Sequence, residues 1–317
     1  MLRMEPEPTP ASPLVVVVGP TGSGKSTLAL RVAESFSGEI VNCDSLQLYR
    51  GFDIGTAKTP PAQRGATPHH LFDVLDPQIG YSAGQYARDT RAVLREISTR
   101  NRLPILVGGT GFYLKALLDG LPPLPERDAT LREDLARREA IRPGVLHRLL
   151  RRLDPRSAAA IHPRDIQKLI RAVEVRVLTR GARPMPKVSE PLTGYRVLKI
   201  GLNPDRAELA AALDHRTQEM FERGLLDEVR GLLASGCSGT EKPFESLGYK
   251  QALTVVRGEI SLETAIVTTQ NETRQYAKRQ RTWFRRDPEI HWFDGFGHSI
   301  RVIEQCAALV REFITLS

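Results

Sequence analysis

The chain has 317 residues, of which 41% are hydrophobic and 26% charged. This balance is typical of a globular protein long enough for one large domain or two smaller ones. No apolar run approaches the roughly 18 residues that cross a bilayer, so we expect no membrane association. The three cysteines, Cys43, Cys237 and Cys306, are far apart, which excludes a disulfide framework or a cysteine metal cluster and indicates a reduced, cytoplasmic compartment.

The net charge of +8 is concentrated in two segments. Residues 121–190 contain 16 basic and 9 acidic residues, and residues 274–286 contain 6 basic residues and no acidic one. The rest of the chain is therefore net acidic. A basic excess confined to two segments indicates contact with nucleic acid, and the alternative is a basic surface that only faces solvent.

The chain begins with a proline-rich lead, residues 1–13, which lacks the apolar stretch of a signal peptide and which we expect to be disordered. A β-branched run at 15–18 predicts a strand buried on both faces. The sequence GPTGSGKS at 19–26 follows directly and matches G-x-x-x-x-G-K-[ST], and a helix is predicted over 25–36. This loop predicts phosphate binding by backbone N–H groups at a helix N-terminus, with Lys25 adding a charge and Ser26 able to ligate Mg²⁺.

Strands are predicted next at 39–42 and 104–107, with a helix at 85–97 between them. The third strand ends in GGTG without the carboxylate that most P-loop enzymes place there. An acid, Asp44, follows the second strand instead. Because the carboxyl ends of neighbouring parallel strands face one crevice, we expect Asp44 to lie across from the P-loop, where it can act as a base. The alternative is a helix N-cap. For His69 and His70 we favour hydrogen bonding or packing over a metal site.

Prolines at 122, 123 and 125 interrupt the alternation, and the pattern beyond them is helical as far as 181–184. Ile166, Leu169, Ile170, Val173 and Val177 form one apolar helical stripe. A strand at 196–202 and helices from about 205 follow. We therefore predict an α/β fold: a P-loop NTPase-like core with a parallel sheet, residues 14–120 and 188–317, ending in C-terminal helices, with an all-helical insertion at 121–187 that carries basic excess.

The segment 274–285 predicts a basic helical face. Arg274, Lys278, Arg281 and Arg285 recur at helical spacing without a nearby acid in the sequence, which favours contact with phosphates. Tyr276 and Trp283 lie on another face, and we expect Trp283 to anchor the core.

Several blocks occur in one order: GPTGSGKS at 19–26, DSLQLY at 44–49, GTAK at 55–58, HHL at 69–71, GGTGFY at 108–113, SLGYK at 246–250 and KRQRTWFR at 278–285. Together they resemble the bacterial isopentenyl-pyrophosphate:tRNA transferase family, the tRNA dimethylallyltransferases. The resemblance extends from about residue 15 to residue 292. It implies transfer of a dimethylallyl group from dimethylallyl diphosphate to the exocyclic N6 amine of the adenosine 3′ of the anticodon, position 37, with release of diphosphate. It also implies Mg²⁺ as cofactor and a tRNA anticodon stem-loop as partner, and we expect a monomer.

The resemblance also assigns roles to residues. Asp44 would take the proton from the adenine amine, Thr110 would contact the same nucleotide, and Lys25 with Arg216 would stabilise the leaving diphosphate. Ser26 would ligate Mg²⁺. The diphosphate would be held by Gly19, Pro20, Thr21, Gly22, Ser23, Gly24, Lys25 and Ser26. The tRNA, over which the insertion would close, would be contacted by Asp44, Ser45, Leu46, Gln47, Thr110, Arg132, Gln167, Lys168, Leu169, Ile170, Arg171, Glu245, Ser246, Leu247, Gly248, Tyr249, Lys250, Lys278, Arg279, Gln280, Arg281, Thr282, Trp283, Phe284 and Arg285.

Three alternatives stay open at this point. A relative that prenylates free adenine nucleotides would need neither basic segment. A P-loop kinase acting on a small metabolite would be expected to carry the strand-end acid that the third strand lacks. A non-catalytic RNA-binding ATPase or switch would leave Asp44 with a structural role only.

Overall fold

The structure, a computed structural model, describes residues 11–122, 124–179 and 190–315. The chain divides into two compact units, one formed by Met1–Leu118 with Leu192–Ser317 and the other by Asp119–Pro191. Most of the predicted disordered lead lies outside the described residues. Its last two residues do not fit the prediction, because the first strand begins at Ser12.

The first unit is built on a parallel sheet, which within the described residues has six strands in the order β3-β2-β4-β1-β5-β6. The strands are β1 (Ser12–Val18), β2 (Gly38–Asn42), β3 (His69–His70), β4 (Leu103–Val107), β5 (Tyr195–Leu202) and β6 (Ile290–Phe293). This confirms the predicted α/β fold. The two edge strands were not predicted. β3 has only two residues, and β6 lacks the continuous apolar run of the central strands, because His291 follows its first residue.

The central strands are buried on both faces, which explains their continuous apolar runs. Val15 and Val17 of β1 belong to a hydrophobic cluster on one face of the sheet, and the alternate residues of the same strand are buried on the other face. On the first face, Leu28 from the first helix and Val302 from the last helix pack into the same cluster. On the other face, Tyr86 stacks on Tyr113 with ring centroids 4.3 Å apart.

Helices connect the strands and extend beyond the sheet. In the first unit they are α1 (Lys25–Ser35), α2 (Ala83–Thr99) and α3 (Gly111–Leu118), then α8 (Arg206–Glu222), α9 (Leu225–Ala234), α10 (Tyr249–Val256), α11 (Leu262–Phe284) and α12 (Ile300–Thr315). In the second unit they are α4 (Ala129–Ile141), α5 (Val145–Leu153), α6 (Pro155–Ala160) and α7 (Ile166–Leu178). Helix α2 begins two residues before its predicted start, because Ser82 and Gln85 form a capping box.

The second unit has a hydrophobic core of its own. Leu146, Leu150, Leu169 and Val173 are completely buried in it. The predicted apolar stripe of α7 includes these last two, but its final member, Val177, is 45% exposed. The helix and its stripe are as predicted, and the buried part of the stripe ends one turn before the helix does.

The three cysteines, Cys43, Cys237 and Cys306, are free and buried. His70 shares a hydrogen bond of 2.7 Å with Glu39, and His69 shares one of 2.8 Å with the Thr67 carbonyl. No group of three metal-ligating side chains occurs in the part of the chain that the structure describes. Among the same residues, no helix has the length and apolar composition needed to cross a membrane.

Candidate active site

The loop between β1 and α1 has the geometry of a phosphate cradle. Gly24 adopts a left-handed conformation (φ 82°) at the position before α1, and no side chain caps the helix there. The first-turn N–H groups of α1 are therefore directed at the space above the loop, as in other anion-binding helix N-termini. A side chain at Gly24 would also press on the backbone of Gly297, whose N–H donates to the Ser23 carbonyl. Glycine is needed at this position for both reasons.

A cavity of about 250 Å³ joins the P-loop to the turn after β2. β1 and β2 are not neighbours, because β4 lies between them. The end of β4 lines the cavity between the P-loop and Asp44, so the two loops face one crevice as predicted, although their strands are not neighbours. The lining residues are Thr21, Gly22, Gly24, Lys25, Ser26, Thr27, Asp44, Gln47, Thr56, Ala57, Val107, Gly108 and Arg216.

Two cations lie close together in this cavity. Burial lowers the pKa of Lys25 to about 8; the nearby Asp44 carboxylate opposes this shift and the Arg216 guanidinium adds to it. Burial also lowers the pKa of Arg216, with Asp44 again opposing. Lys25 Nζ donates to the Pro20 carbonyl at 2.7 Å, and Arg216 Nη1 donates to Thr21 Oγ1 at 3.4 Å. Two poorly solvated positive charges at a phosphate cradle favour a ligand with more than one negative charge.

Asp44 lies in a tight turn that follows β2. Its Oδ1 accepts the Leu46 N–H at 2.9 Å, and its own N–H donates to Asn42 Oδ1 at 2.8 Å. The residues after it form a turn and not a helix, so the alternative of a helix N-cap is wrong. The carboxylate lines the cavity and interacts electrostatically with both Lys25 and Arg216.

Thr110 supports this turn from the neighbouring strand. Its Oγ1 accepts the Ser45 N–H at 3.1 Å, and its N–H donates to the Cys43 carbonyl at 3.2 Å. Thr110 is not among the residues that line the cavity. The structure therefore gives Thr110 a part in holding the Asp44 turn, and its proposed contact with a nucleotide stays a prediction.

A loop at 52–58 completes the wall of the cavity, and nothing in the sequence pointed to it except the GTAK block. Gln47 Nε2 donates to the Thr56 carbonyl at 3.0 Å. The Glu228 carboxylate accepts hydrogen bonds from the Ile54 N–H, at 2.9 Å, and from the Tyr249 hydroxyl. The oxygen of the same hydroxyl accepts the Gly55 N–H at 3.1 Å. Thr56 and Ala57 thus line the cavity because the half-buried Glu228 of α9 and the buried Tyr249 of α10 hold their loop.

The predicted RNA-contacting residues differ in their exposure to solvent. Those with exposed side chains are Gln167, Lys168, Glu245, Lys250, Lys278, Arg279, Thr282, Trp283 and Arg285. Those that are buried are Leu169, Ile170, Gly248, Tyr249, Gln280 and Phe284. A continuous block on a helix covers every face, so residues four apart, such as Gln280 and Phe284, point inward together. In this conformation the buried side chains cannot reach an RNA.

Trp283 and the basic face of α11 differ from expectation. Trp283 is 42% exposed and its indole lies against the Gly111 backbone, so the prediction of a core anchor was wrong. The basic face is not free of acids in the folded chain. Arg274 forms an ion pair with Asp214 of α8, and Arg281 donates to the Pro204 carbonyl at 2.6 Å. Their partners lie 60 or more residues away in sequence, which is why the local pattern did not show them.

In the helical unit, the predicted RNA residues are similarly engaged. Arg132 and Arg171 both form ion pairs with Glu174, at 3.2 and 2.7 Å. Glu174 is completely buried; burial by itself would raise its pKa, but the hydrogen bonds from Arg171 and the Asp128 N–H hold it below its ordinary value. Gln167 lies 3.4 Å from Arg132, and Lys168 pairs with Asp165 at 2.6 Å. These arginines are fixed by the unit's own interior.

Known proteins resemble this chain along nearly its whole length. A profile described as IPP transferase matches residues 47–287. The chain is 56% identical over 306 residues to a tRNA dimethylallyltransferase of Solibacter usitatus, covering 95% of this chain and 99% of that protein. A tRNA dimethylallyltransferase of Koribacter versatilis is 50% identical over 304 residues, covering 94% and 98%.

Two solved structures have the same fold. The full-length tRNA isopentenylpyrophosphate transferase of Bacillus halodurans superposes with a TM-score of 0.71 at 34% identity, covering 95% of this chain and 96% of that one. A eukaryotic dimethylallyltransferase solved while acting on tRNA gives a TM-score of 0.79 at 27% identity, covering 96% and 80%.

Proposed function

The chain belongs to the IPP transferase family, and we propose that it transfers a dimethylallyl group from dimethylallyl diphosphate to N6 of the adenosine 3′ of the anticodon in tRNA. The observation that carries this proposal is the shared cavity. A carboxylate, Asp44, and a phosphate cradle with Lys25 and Arg216 line the same space, across the end of one intervening strand. Neighbouring strands of a sheet lie about 4.8 Å apart, so β1 and β2, which have one strand between them, are separated by roughly 10 Å. This gap can hold an acceptor amine, a reacting carbon and a diphosphate in line.

The P-loop side suits the leaving group. When the bond between C1 of the dimethylallyl group and the diphosphate oxygen breaks, both bonding electrons stay with that oxygen. The backbone N–H groups at the start of α1, Lys25 and Arg216 would stabilise the additional negative charge. Because burial disfavours the charged forms of both Lys25 and Arg216, a diphosphate that pairs with them would offset this desolvation cost.

The Asp44 side suits the acceptor. The lone pair of the adenine amine is delocalised into the ring, so attack on C1 makes the nitrogen cationic and a nearby base assists the reaction. Asp44 would accept the proton that N6 loses as the N6–C1 bond forms. The products are N6-dimethylallyl adenosine and diphosphate. The proton that N6 loses goes to Asp44, which leaves the nitrogen neutral and balances the charge. No covalent enzyme intermediate is needed.

Magnesium fits the same site. Ser26 presents a hydroxyl at the start of α1, and Asp44 presents a carboxylate to the same cavity. Mg²⁺ prefers oxygen ligands and is commonly held by one or two protein groups together with substrate phosphates. We propose that Ser26 ligates Mg²⁺, which when bound would neutralise part of the charge on the diphosphate.

For the RNA partner, we propose that the exposed cations of α11, foremost Lys278, contact tRNA phosphates, with the helical unit supplying further contacts. We propose that the enzyme is a monomer. We also propose that the protein acts in the cytoplasm, since its three cysteines are free thiols.

One experiment tests the function against its alternatives. The protein is incubated with Mg²⁺, carbon-labelled dimethylallyl diphosphate, γ-labelled ATP and one acceptor at a time: an anticodon stem-loop RNA, the same RNA with the acceptor adenosine replaced by guanosine, or AMP. We expect carbon label only in the first RNA. Transfer to AMP would indicate a free-nucleotide prenyltransferase, and phosphate transfer from ATP would indicate a kinase. ATP hydrolysis without transfer would indicate an RNA-dependent ATPase.

A further inference from the structure

Gln280 of α11 connects two loops of the candidate active site. Its side chain is only 6% exposed. The amide oxygen accepts the N–H of Thr21, in the P-loop, at 2.7 Å. The amide nitrogen donates to the carbonyl of Gly109, in the loop after β4, at 3.0 Å. One planar amide therefore spans the ends of β1 and β4.

The fit of this amide is close on the β4 side. A Cβ atom on Gly109 would overlap Gln280 Nε2. The three atoms nearest to such a Cβ all belong to Gln280, the third of them at 3.9 Å. Gly109 is therefore small because Gln280 passes over it. At neutral pH glutamate offers only acceptors and methionine offers no donor, so neither can reproduce both bonds.

The two loops lead directly to the two sides of the proposed reaction. Beyond Gly109, the next residue is Thr110, which holds the turn of Asp44 through Ser45. On the P-loop side, Thr21 bonds Gln280 through its N–H, and its hydroxyl accepts a hydrogen bond from Arg216, which lies beside Lys25. Helix α11 contacts the same β4 loop again one turn later, where Trp283 covers Gly111.

We propose that Gln280 is a positioning residue that fixes the distance between the diphosphate cradle and the Asp44 carboxylate. The proposal rests on the proposed prenyl transfer. An in-line displacement depends steeply on the separation of its partners, and a misplacement of about 1 Å can cost about 10²-fold in rate. Loss of Gln280 should therefore slow the chemical step and leave the binding of RNA, which we assign to exposed side chains of α11, nearly unchanged.

The first test replaces Gln280 with methionine, which has a similar length and no hydrogen-bonding amide. The matched control is Gln275→Met, an exposed glutamine on the same helix. We expect the single-turnover rate with saturating tRNA and dimethylallyl diphosphate to fall about 10²-fold in Gln280→Met. The tRNA dissociation constant should stay within about twofold, and Gln275→Met should match wild type in both measurements. A Gln280→Met rate within threefold of wild type would overturn the proposal.

The second test is a double-mutant cycle with Gly109→Ala, which also covers the case in which Gln280→Met folds poorly. Gly109→Ala alone should displace the amide and slow the reaction. In a Gln280→Ala background, the same methyl group meets no atom closer than 3.9 Å. We therefore expect the double variant to react no more slowly than Gln280→Ala. Rate losses that multiply would show that the two residues do not act as a unit, against the proposal.

Two further readouts separate positioning from stability and from the function itself. If Gln280 only stabilises the fold, the rate loss will follow the fall in Tm and disappear at low temperature, which would overturn the proposal. A loss that persists at low temperature, with tRNA binding intact, supports it. Failure of wild-type protein to prenylate RNA would contradict the proposed function, whereas an active wild type with an unaffected Gln280→Met variant contradicts only the role of Gln280.

Discussion

Replacing Asp44 with asparagine removes the proposed base and little else. The Leu46 N–H donates to Asp44 Oδ1 at 2.9 Å, and an asparagine oxygen can accept the same bond. The Asp44 N–H and carbonyl are both held by the Asn42 side chain, which the substitution does not touch. The turn should therefore survive, and any loss of rate reports on the carboxylate and not on local unfolding.

The expected loss is about 10²–10⁴-fold in the single-turnover rate, the usual contribution of a general base. The KM for dimethylallyl diphosphate should not rise, because the substitution removes a negative charge from the cavity that holds the diphosphate. It should fall instead, provided that Lys25 stays protonated. The Asp44 carboxylate keeps the pKa of Lys25, about 8, from falling further. The comparison is therefore made at pH 7.

The assay is rapid-quench transfer of labelled dimethylallyl to a saturating anticodon stem-loop, with Asp76→Asn, a surface carboxylate, as control. Asp76→Asn should react like wild type. If Asp44→Asn reacts within fivefold of wild type, Asp44 is not the base and its carboxylate serves only the turn. If the KM for the diphosphate substrate rises instead of falling, the carboxylate contributes to binding, for example through the metal.

Lys278→Ala should flatten the slope of log tRNA affinity against log salt concentration by about 0.7–0.9. Arg274→Ala should leave the slope unchanged, because the Arg274 guanidinium is paired with Asp214. Equal slopes for wild type and both variants would mean that α11 does not contact the RNA. Lys25 has a pKa of about 8 in the folded protein, below its ordinary value of 10.5, so between these values the unfolded chain binds more protons and the free energy of unfolding should rise with pH. Lys25→Met should abolish that rise, raise the Tm at pH 7 and remove diphosphate binding in calorimetry. A lower Tm for this variant would contradict the argument. Tyr249→Phe leaves the Glu228 carboxylate and the Gly55 N–H without their shared hydroxyl, so urea titration should show a loss of about 1–3 kcal/mol in the free energy of unfolding. An unchanged free energy would mean that the Tyr249 hydroxyl does not hold the 52–58 loop.

Features that depend on neighbours in the chain could be predicted from the sequence. The glycines and Lys25 of the P-loop act through a strand, a turn and a helix that follow one another directly, so the phosphate cradle is a local structure. Asp44 was placed correctly from the rule that parallel strands end at one edge of a sheet. Helix α7 and its buried residues followed from their spacing, except at Val177, where the helix continues past its core.

Only the tertiary structure decided which side chains of a recognised block face inward. Within 278–285 the sequence does not show that Lys278 is exposed and Gln280 buried. Gln280 accepts a hydrogen bond from Thr21, which lies 259 residues away in the chain. The ion pair between Arg274 and Asp214 spans 60 residues in the same way. Such contacts form when distant segments pack, and helical periodicity gives the faces of a helix without stating what covers them. The sequence by itself therefore determined the family, the fold class and the cradle, and the packing of α11 against the loops determined how the candidate site is held together.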